Sequence, residues 1–496
     1  NNGYDVWTPD NNGFTTYSDY LGQDTQQTNA MSLRSSFRLS KDLKLSSITS
    51  YSLNDMKYGY DADWANDEFW EDDEYDWSAL SESYEYGNPN YFWTGCYNHD
   101  ETIFIDEYIT QDSCLTLDPT NIFYNGYYPY SFTDETTRKR ETISKELRIS
   151  TKRMLAGLYI SKTTETDVRS GWLFGGSASN LNSDFEMLNA SIYASADWDL
   201  MEDITLRALG RIEFNKVNSD ISTLDYYGSD AGNFSKEISG VLWGGRIELN
   251  HSLDENTSYG ASLSKGYKSH GVNQSTNIGV NDNLSDELRD YDKEDAYNAE
   301  ISFIFEDEKK LLSLNTFYMA RVNPQTRLSY QLDSSDPASF DFYTVNANSG
   351  YSYGFEGQFK VIVTENLYFY DSFAFLKSHI SEYDFLGSSI GDRTQAHAPE
   401  FSASAGFEYT LNSGIYMKID HSLMLDFYHE DQYESKTNPY QVLNAALGWR
   451  KNRIELSMWV KNLFDEKYVT RGYNFALEPS ANNPPYFFSK TYLSYA

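Results

Sequence analysis

Between positions 61 and 77 the chain reads DADWANDEFWEDDEYDW, in which nine of seventeen residues are acidic, five are aromatic and none is basic. Trp64, Trp70 and Trp77 offer flat faces on which a planar or sugar-like ligand could stack. Asp72, Asp73, Glu74 and Asp76 offer hard oxygen donors for a divalent cation, although the regular Asp/Gly spacing of a calcium loop is absent. The plainer reading is a solvated acidic loop. The seven histidines, His99, His251, His270, His379, His397, His421 and His429, are scattered, which argues against a prebuilt metal cluster. His99 and His270 fall in long irregular segments where a ligand could touch them, and His379 and His397 bracket another. For all four the plainer alternative is an ordinary polar loop residue. The two cysteines, Cys96 and Cys114, share one polar aromatic segment and fit a disulfide of an oxidising compartment. On the chain-entropy account such a closure contributes about 3 kcal/mol. A metal pair is the weaker reading, because only His99 lies nearby. No G-x-S-x-G, H-E-x-x-H or phosphate loop occurs, and no nucleophile–base pair stands out, so neither an enzyme nor a resident cofactor is expected.

These residues belong to a chain of 496 with 42 Tyr, 10 Trp and a net charge of -35. A disordered acidic chain would be poor in aromatics, and this one is 16% aromatic, so it folds. Its charge repels phosphate backbones, which excludes nucleic acid as a partner. Mean hydropathy is -0.62 and no apolar run reaches the length of a transmembrane helix. The opening NNGYDVWTPDNN reads as the middle of a loop, with no signal peptide.

Period-two alternation dominates the rest. In ISKELRIS (143–150), Ile143, Lys145, Leu147 and Ile149 share one face, with Ser144, Glu146, Arg148 and Ser150 on the other. Over 204–214, Ile204, Leu206, Ala208, Gly210, Ile212 and Phe214 oppose Thr205, Arg207, Arg211 and Glu213. Tight polar turns are expected at 40–42, 151–154, 201–203, 254–256, 306–309, 364–366, 412–414 and 451–452. Between them run longer Asp/Asn/Ser/Tyr-rich segments. Short turns at one end, long loops at the other and strands long enough to cross a bilayer describe a transmembrane antiparallel β-barrel rather than a soluble sandwich or propeller. Phe427, Tyr428, Tyr368 and Tyr370 are expected in its interfacial aromatic girdle. Eight turns make sixteen strands, and 486–496 adds one, giving about 17. That count is odd where single-chain bacterial barrels are even.

Near the C-terminus, WVKNLFDEKYVTRGYNF (459–475) closely resembles the signature of TonB-dependent outer-membrane receptors, carried by Asn462, Leu463, Phe464, Asp465 and Tyr468. SKGYKSHGVNQ (264–274) is similar to the G-Y-K-x-G-G-x-N stretch of receptors for iron complexes, with Ser269 and His270 departing from its small pair. NANSGYSYGFEGQF (346–359) and AHAPEFSASAGFEY (396–409) resemble two further strands of the family in order and spacing. In the signature itself, Asn462 and Asp465 are expected to cap a strand-to-loop turn while Phe464 and Tyr468 pack at the rim.

The resemblance implies a 22-strand barrel, so residues 1–496 are expected to be its C-terminal portion, with an N-terminal plug and five strands missing. It further implies residence in the outer membrane of a Gram-negative bacterium, among outer-membrane lipid and lipopolysaccharide. Its implied partner is TonB with the inner-membrane energising complex, reached through the absent plug. The implied ligand is a scarce bulky nutrient, with an iron–siderophore complex ahead of a glycan, vitamin or haem. From other classes stand a passive diffusion porin and a surface-docking component of an assembly. A first test concerns the cysteines: digestion without reduction should yield one peptide pair joined through Cys96 and Cys114. Alkylation of both thiols without prior reduction would remove the disulfide.

Overall fold

A strand that alternates apolar and polar residues has a greasy face and a wet one, and its backbone must hydrogen-bond to neighbours on both sides. In the computed structural model, which describes residues 20, 22–61, 96–98, 122–124, 133–172, 181–224, 230–274, 288–331, 340–479 and 487–495, sixteen such strands form one sheet. They are β1 (Asp24–Arg38), β2 (Lys44–Asp61), β3 (Thr133–Ser150), β4 (Met154–Trp172), β5 (Leu181–Asp199), β6 (Ile204–Leu224), β7 (Asp230–Ser252) and β8 (Thr257–Lys268). The second half comprises β9 (Glu294–Glu306), β10 (Lys310–Val322), β11 (Ser349–Thr364), β12 (Leu367–Ile380), β13 (Phe401–Thr410), β14 (Ile415–Met424), β15 (Tyr440–Lys451) and β16 (Ile454–Val460). Each pairs antiparallel with the next in sequence, and β1 and β16 pair on one side only.

All eight expected turns join strands at the same end of the sheet. Their polar residues close them directly. Thr151 Oγ1 accepts from the Arg153 and Met154 amides at 3.2 and 3.0 Å. Asp307 Oδ1 accepts from the Lys309 and Lys310 amides at 2.7 and 2.8 Å.

Register places the apolar residues of neighbouring strands together. Leu158 opposes Ile192, Ile192 opposes Ile212, and Ile212 opposes Trp243. All four are more than half exposed, at 55, 57, 56 and 52%. A row of large apolar side chains left open across four strands is the pattern of the outer surface of a membrane barrel. Ile143, Leu147 and Ile149 lie on this face as read from the alternation. So does Lys145, whose Nζ donates to Ser47 and Thr49 at 2.8 Å each.

Aromatics bound the apolar band at both ends, with Trp198, Tyr259 and Tyr409 near the turns and Trp243, Tyr297, Tyr318, Tyr353 and Phe375 near the loops. Just beyond, outer-face ion pairs Lys162–Glu186, Lys216–Glu237 and Lys265–Asp295 mark the return to water, at 2.7, 2.9 and 2.7 Å. Tyr353 opposes Lys377, ten residues along β12 from Leu367, which opposes Tyr409. At a strand rise of about 3.4 Å and a 40° tilt that is a band about 25 Å high, the height of an outer-membrane barrel's apolar belt.

Two expectations are corrected. Tyr368 and Tyr370 face inward, because the Tyr370 hydroxyl donates to Asp420 and the Lys418 ammonium sits 5.7 Å from its ring; Phe369 takes the lipid side, opposing Val361 and Phe407. Phe427 and Tyr428 lie in a connection rather than in the girdle. The sheet also holds sixteen strands rather than about 17, because Phe487–Tyr495 pairs with the preceding Val469–Pro479 as a separate two-stranded sheet. Seven intervening residues make that the shortest closure open to the last strand.

The C-terminal signature is explained by one turn. Asn462 adopts left-handed backbone geometry at φ 51°, which Asn tolerates better than most residues. Its side chain donates to the Glu466 carbonyl at 2.9 Å and accepts from the Glu466 amide at 2.8 Å. Asp465 is also left-handed, at φ 53°. Tyr468 stacks on Tyr440 with centroids 4.2 Å apart, whereas Phe464 is 75% exposed.

Three substitutions test this architecture through chemical unfolding from lipid bilayers. Ile192→Arg, on the outer face near mid-band, should cost about 2–4 kcal/mol, while Ser404→Lys on the inner wall should cost far less. Asn462→Ala should cost about 2 kcal/mol from two lost hydrogen bonds and the left-handed backbone.

Candidate functional site

The wet face lines the inside, and β3–β10 furnish it with matched charges. The Arg138 Nε donates to Asp167 at 2.6 Å, and Glu165 lies between Arg138 and Arg140. Farther round, Arg211 pairs with Glu213, and Arg246 bridges Glu248 and Glu300 at 3.0 and 3.5 Å. Arg321 clamps Glu294 at 2.7 and 3.0 Å. Among these carboxylates, the Asp167 and Glu165 side chains are only 0 and 7% exposed. Each has a guanidinium beside it, which supplies the hydrogen bonds that a buried carboxylate requires.

At the loop end, four connections fold inward over this wall. The first, after β8, places His270 against the inner face of Gly240, where its Cε1 would lie 3.1 Å from an added Cβ. Val272 follows, packed on Leu181, Ile221 and Phe234 of β5–β7, and the Arg289 guanidinium covers the Phe234 ring at 4.7 Å. The second contributes the hairpin Gln325–Gln331 with Phe340–Asn346. The third contributes Tyr383–Phe385 with Ser388–Ile390, turned through left-handed Leu386 and Gly387 (φ 51° and 82°), the geometry a two-residue hairpin needs. Leu328, Tyr343, Ile380, Tyr383, Phe385 and Ile390 form an apolar centre beneath them. The fourth, residues 425–439, crosses above as a strap.

Single polar side chains bind these connections to one another. Buried Asn273 donates to the carbonyls of Leu288 and Thr344 at 2.7 and 2.8 Å and accepts from the Thr344 amide at 2.9 Å. Asp431 accepts from the Ala396 amide at 2.6 Å and from the Thr326 hydroxyl at 2.7 Å, joining three connections at one carboxylate. Gln432 Oε1 accepts from both the amide and hydroxyl of Ser329 at 3.1 Å. Arg393 donates to the Glu430 and Tyr433 carbonyls and lies 3.8 Å from the Tyr428 ring centre. Burial holds the His270 imidazole below its ordinary pKa and pushes the Tyr383 phenol up. The resulting layer is small in core and tied by a few replaceable bonds, the construction from which local opening is drawn.

The residues singled out from sequence separate clearly. Trp64, Trp70, Trp77, Asp72, Asp73, Glu74, Asp76, His99 and Cys114 lie outside the described residues, and Cys96 begins the short strand Cys96–Asn98. His270 is 8% exposed, within the inward layer. His379 stacks on Tyr351 at 5.1 Å on the outer face, and His397 meets the strap. Among the described residues no three His, Cys, Asp or Glu side chains converge to hold a metal. Asn273, Arg393, Asp431, Gln432 and His429 were not singled out by residue pattern. Of these only Asn273 had a signal, as the Asn of GYKSHGVN.

Asp431→Ala should leave two donors without this partner, the buried Thr326 hydroxyl and the partly buried Ala396 amide, a local cost of about 2–3 kcal/mol. It should accelerate protease cleavage within 425–439, whereas Ser389→Ala in the neighbouring exposed hairpin should not.

In comparisons with solved structures the chain is similar to the ferric yersiniabactin uptake receptor FyuA of Yersinia pestis, at 15% identity and a TM-score of 0.65, over 90% of this chain and 58% of that one. It is also similar to the siderophore receptor PiuA of Acinetobacter baumannii, at 11% identity and a TM-score of 0.63, over 96% and 63%. The copper transporter OprC matches at 13% identity and a TM-score of 0.61, over 90% and 61%. The chain thus spans about three fifths of the length of these structures, and they share its fold. The family described as TonB dependent receptor-like, beta-barrel, a family of outer-membrane transporters and not enzymes, matches residues 1–463. This chain belongs to that family.

Proposed function

We propose that the chain forms most of the barrel of an outer-membrane active-transport receptor that captures a scarce, bulky nutrient at its loop end and imports it into the periplasm. The observation that carries this reading is the inward layer itself. Four connections, cross-tied by Asn273, Asp431, Gln432 and Arg393, fold over the polar inner wall, whereas a passive pore works best unobstructed. The loop end then faces the medium and the eight tight turns face the periplasm.

An iron–siderophore complex is the preferred ligand. GYKSHGVN resembles the matching stretch in iron-complex receptors, and the structure puts its His270, Val272 and Asn273 into the layer. Similar structures include receptors named for ferric yersiniabactin and other siderophores. A second reading is favoured by charge: the acidic stretch at 61–77 repels anionic iron complexes and suits a neutral glycan stacked on Trp64, Trp70 and Trp77, or a cationic ligand. In either case an N-terminal plug and additional strands precede the chain, TonB acts through that plug, and lipopolysaccharide surrounds the apolar band.

Expression and uptake in the intact gene's own host test the proposal. Iron starvation should induce the receptor, and its deletion should slow uptake of labelled ferric siderophore. Collapse of the proton-motive force should stop that uptake. Induction by a polysaccharide alone would replace iron with a glycan, and uptake indifferent to the proton-motive force would replace the receptor with a porin.

A further inference from the structure

His429 sits where the strap meets the C-terminal hairpin. It is 2% exposed, and neither ring nitrogen has a side-chain hydrogen-bond partner among the described residues. It packs against the bare backbone of Gly472, where an added Cβ would fall 2.6 Å from the His429 Cγ. Phe427 packs edge-on to it at 6.3 Å, and His397 packs on Phe427 at 5.5 Å. His397 is itself held in left-handed geometry at φ 53°, its amide donating to the Tyr428 carbonyl at 2.9 Å. One side chain therefore joins the strap, the 381–400 connection and the final hairpin.

Phenylalanine or leucine would fill this apolar slot without burying two polar nitrogens, so the imidazole brings a cost that packing does not require. What it adds is a proton-binding site. We propose that His429 is an acid-sensitive latch: neutral, it seals the strap onto Gly472 and Phe427; protonated, it leaves the slot and the strap lifts from the loop end. The latch rests on the reading of the loop end as the ligand's gate, and it would couple capture or release to the acidity of the medium.

The charged groups around the slot set the direction. Asp431 and Glu430 come from the strap itself, with Asp431 engaged by the Ala396 amide and the Thr326 hydroxyl. Lys436, also on the strap, directs its ammonium to Asp426. From the opposing elements come His397 and Arg471. Burial first, then the neighbouring His397, holds His429 below the ordinary histidine value of 6.5, with the Lys436 backbone opposing. Burial and then Arg471 do the same for His397, with Asp431 opposing. Both imidazoles bind protons less readily closed than open. Closure is therefore fully present above the ordinary value and is lost as pH falls below it. Each unit of depression weakens closure by about tenfold once the medium is acid.

Hydrogen exchange of the intact receptor in detergent, corrected for intrinsic rates, tests this without any ligand or uptake assay. Peptides covering 426–437 should lose protection about tenfold or more between pH 8 and pH 5, while the β5–β7 peptides should not change. His429→Phe should keep the strap protected at both pH values, and His429→Leu provides the same readout if the larger ring fails to fit. His397→Gln should reduce the response. Equal protection of the wild-type strap at both pH values, or an undiminished loss in both His429 variants, would overturn the latch. Failure of iron uptake would bear on the proposed function alone.

Discussion

A backbone amide placed in hydrocarbon must find its partner within the protein, because no water is present to replace it. That constraint decides the architecture here. Sixteen strands satisfy one another through consecutive antiparallel pairing, and the side chains are freed to serve two solvents. Leu158, Ile192, Ile212 and Trp243 stand more than half exposed, as the outward side chains of a membrane barrel do. Little buried core is needed: the apolar clusters among the described residues belong mainly to the inward connections, not to the sheet.

The same constraint sorts charge. Lysines and carboxylates on the outer face pair just beyond the aromatic boundary, as at Lys162–Glu186 and Lys265–Asp295. Arginines and carboxylates on the inner wall of β3–β10 pair with one another, as at Arg138–Asp167 and Arg321–Glu294. At the loop end the logic changes. There the chain leaves hydrocarbon, backbone partners become optional, and folding depends on side-chain hubs. Asp431 alone holds three connections together. A surface tied by so few bonds can open without disturbing the sheet, which is the mechanical separation a transport receptor requires.

Much of the sheet was legible in the sequence because its signals are local. All eight turns were readable from their polar residues, and at three of them Thr151, Asp254 and Asp307 close the turn with their own side chains. The faces of 143–150 and 204–214 followed from alternation alone. Alternation does not say which face meets lipid at a strand's end, so Tyr370 was placed outward until its Asp420 partner became visible. The inward layer was not legible at all. Asn273 and Thr344 are 71 residues apart and Thr326 and Asp431 are 105 apart. No local pattern encodes such contacts, and His429 looks like any polar residue of YHEDQY until Gly472 is placed beside it.

The most direct test of the account follows the solvent on each face of one strand. Single cysteines along β6, from Ile204 to Phe214, can carry a fluorophore in the receptor reconstituted in bilayers and be read against a lipid-soluble and a water-soluble quencher. Probes at 204, 206, 208, 212 and 214 should be quenched from the lipid, and those at 205, 207, 211 and 213 from water. Quenching that fails to alternate, or alternates in the opposite phase, would contradict the assignment of the apolar face to the membrane, and with it the assignment of the charged wall to the interior.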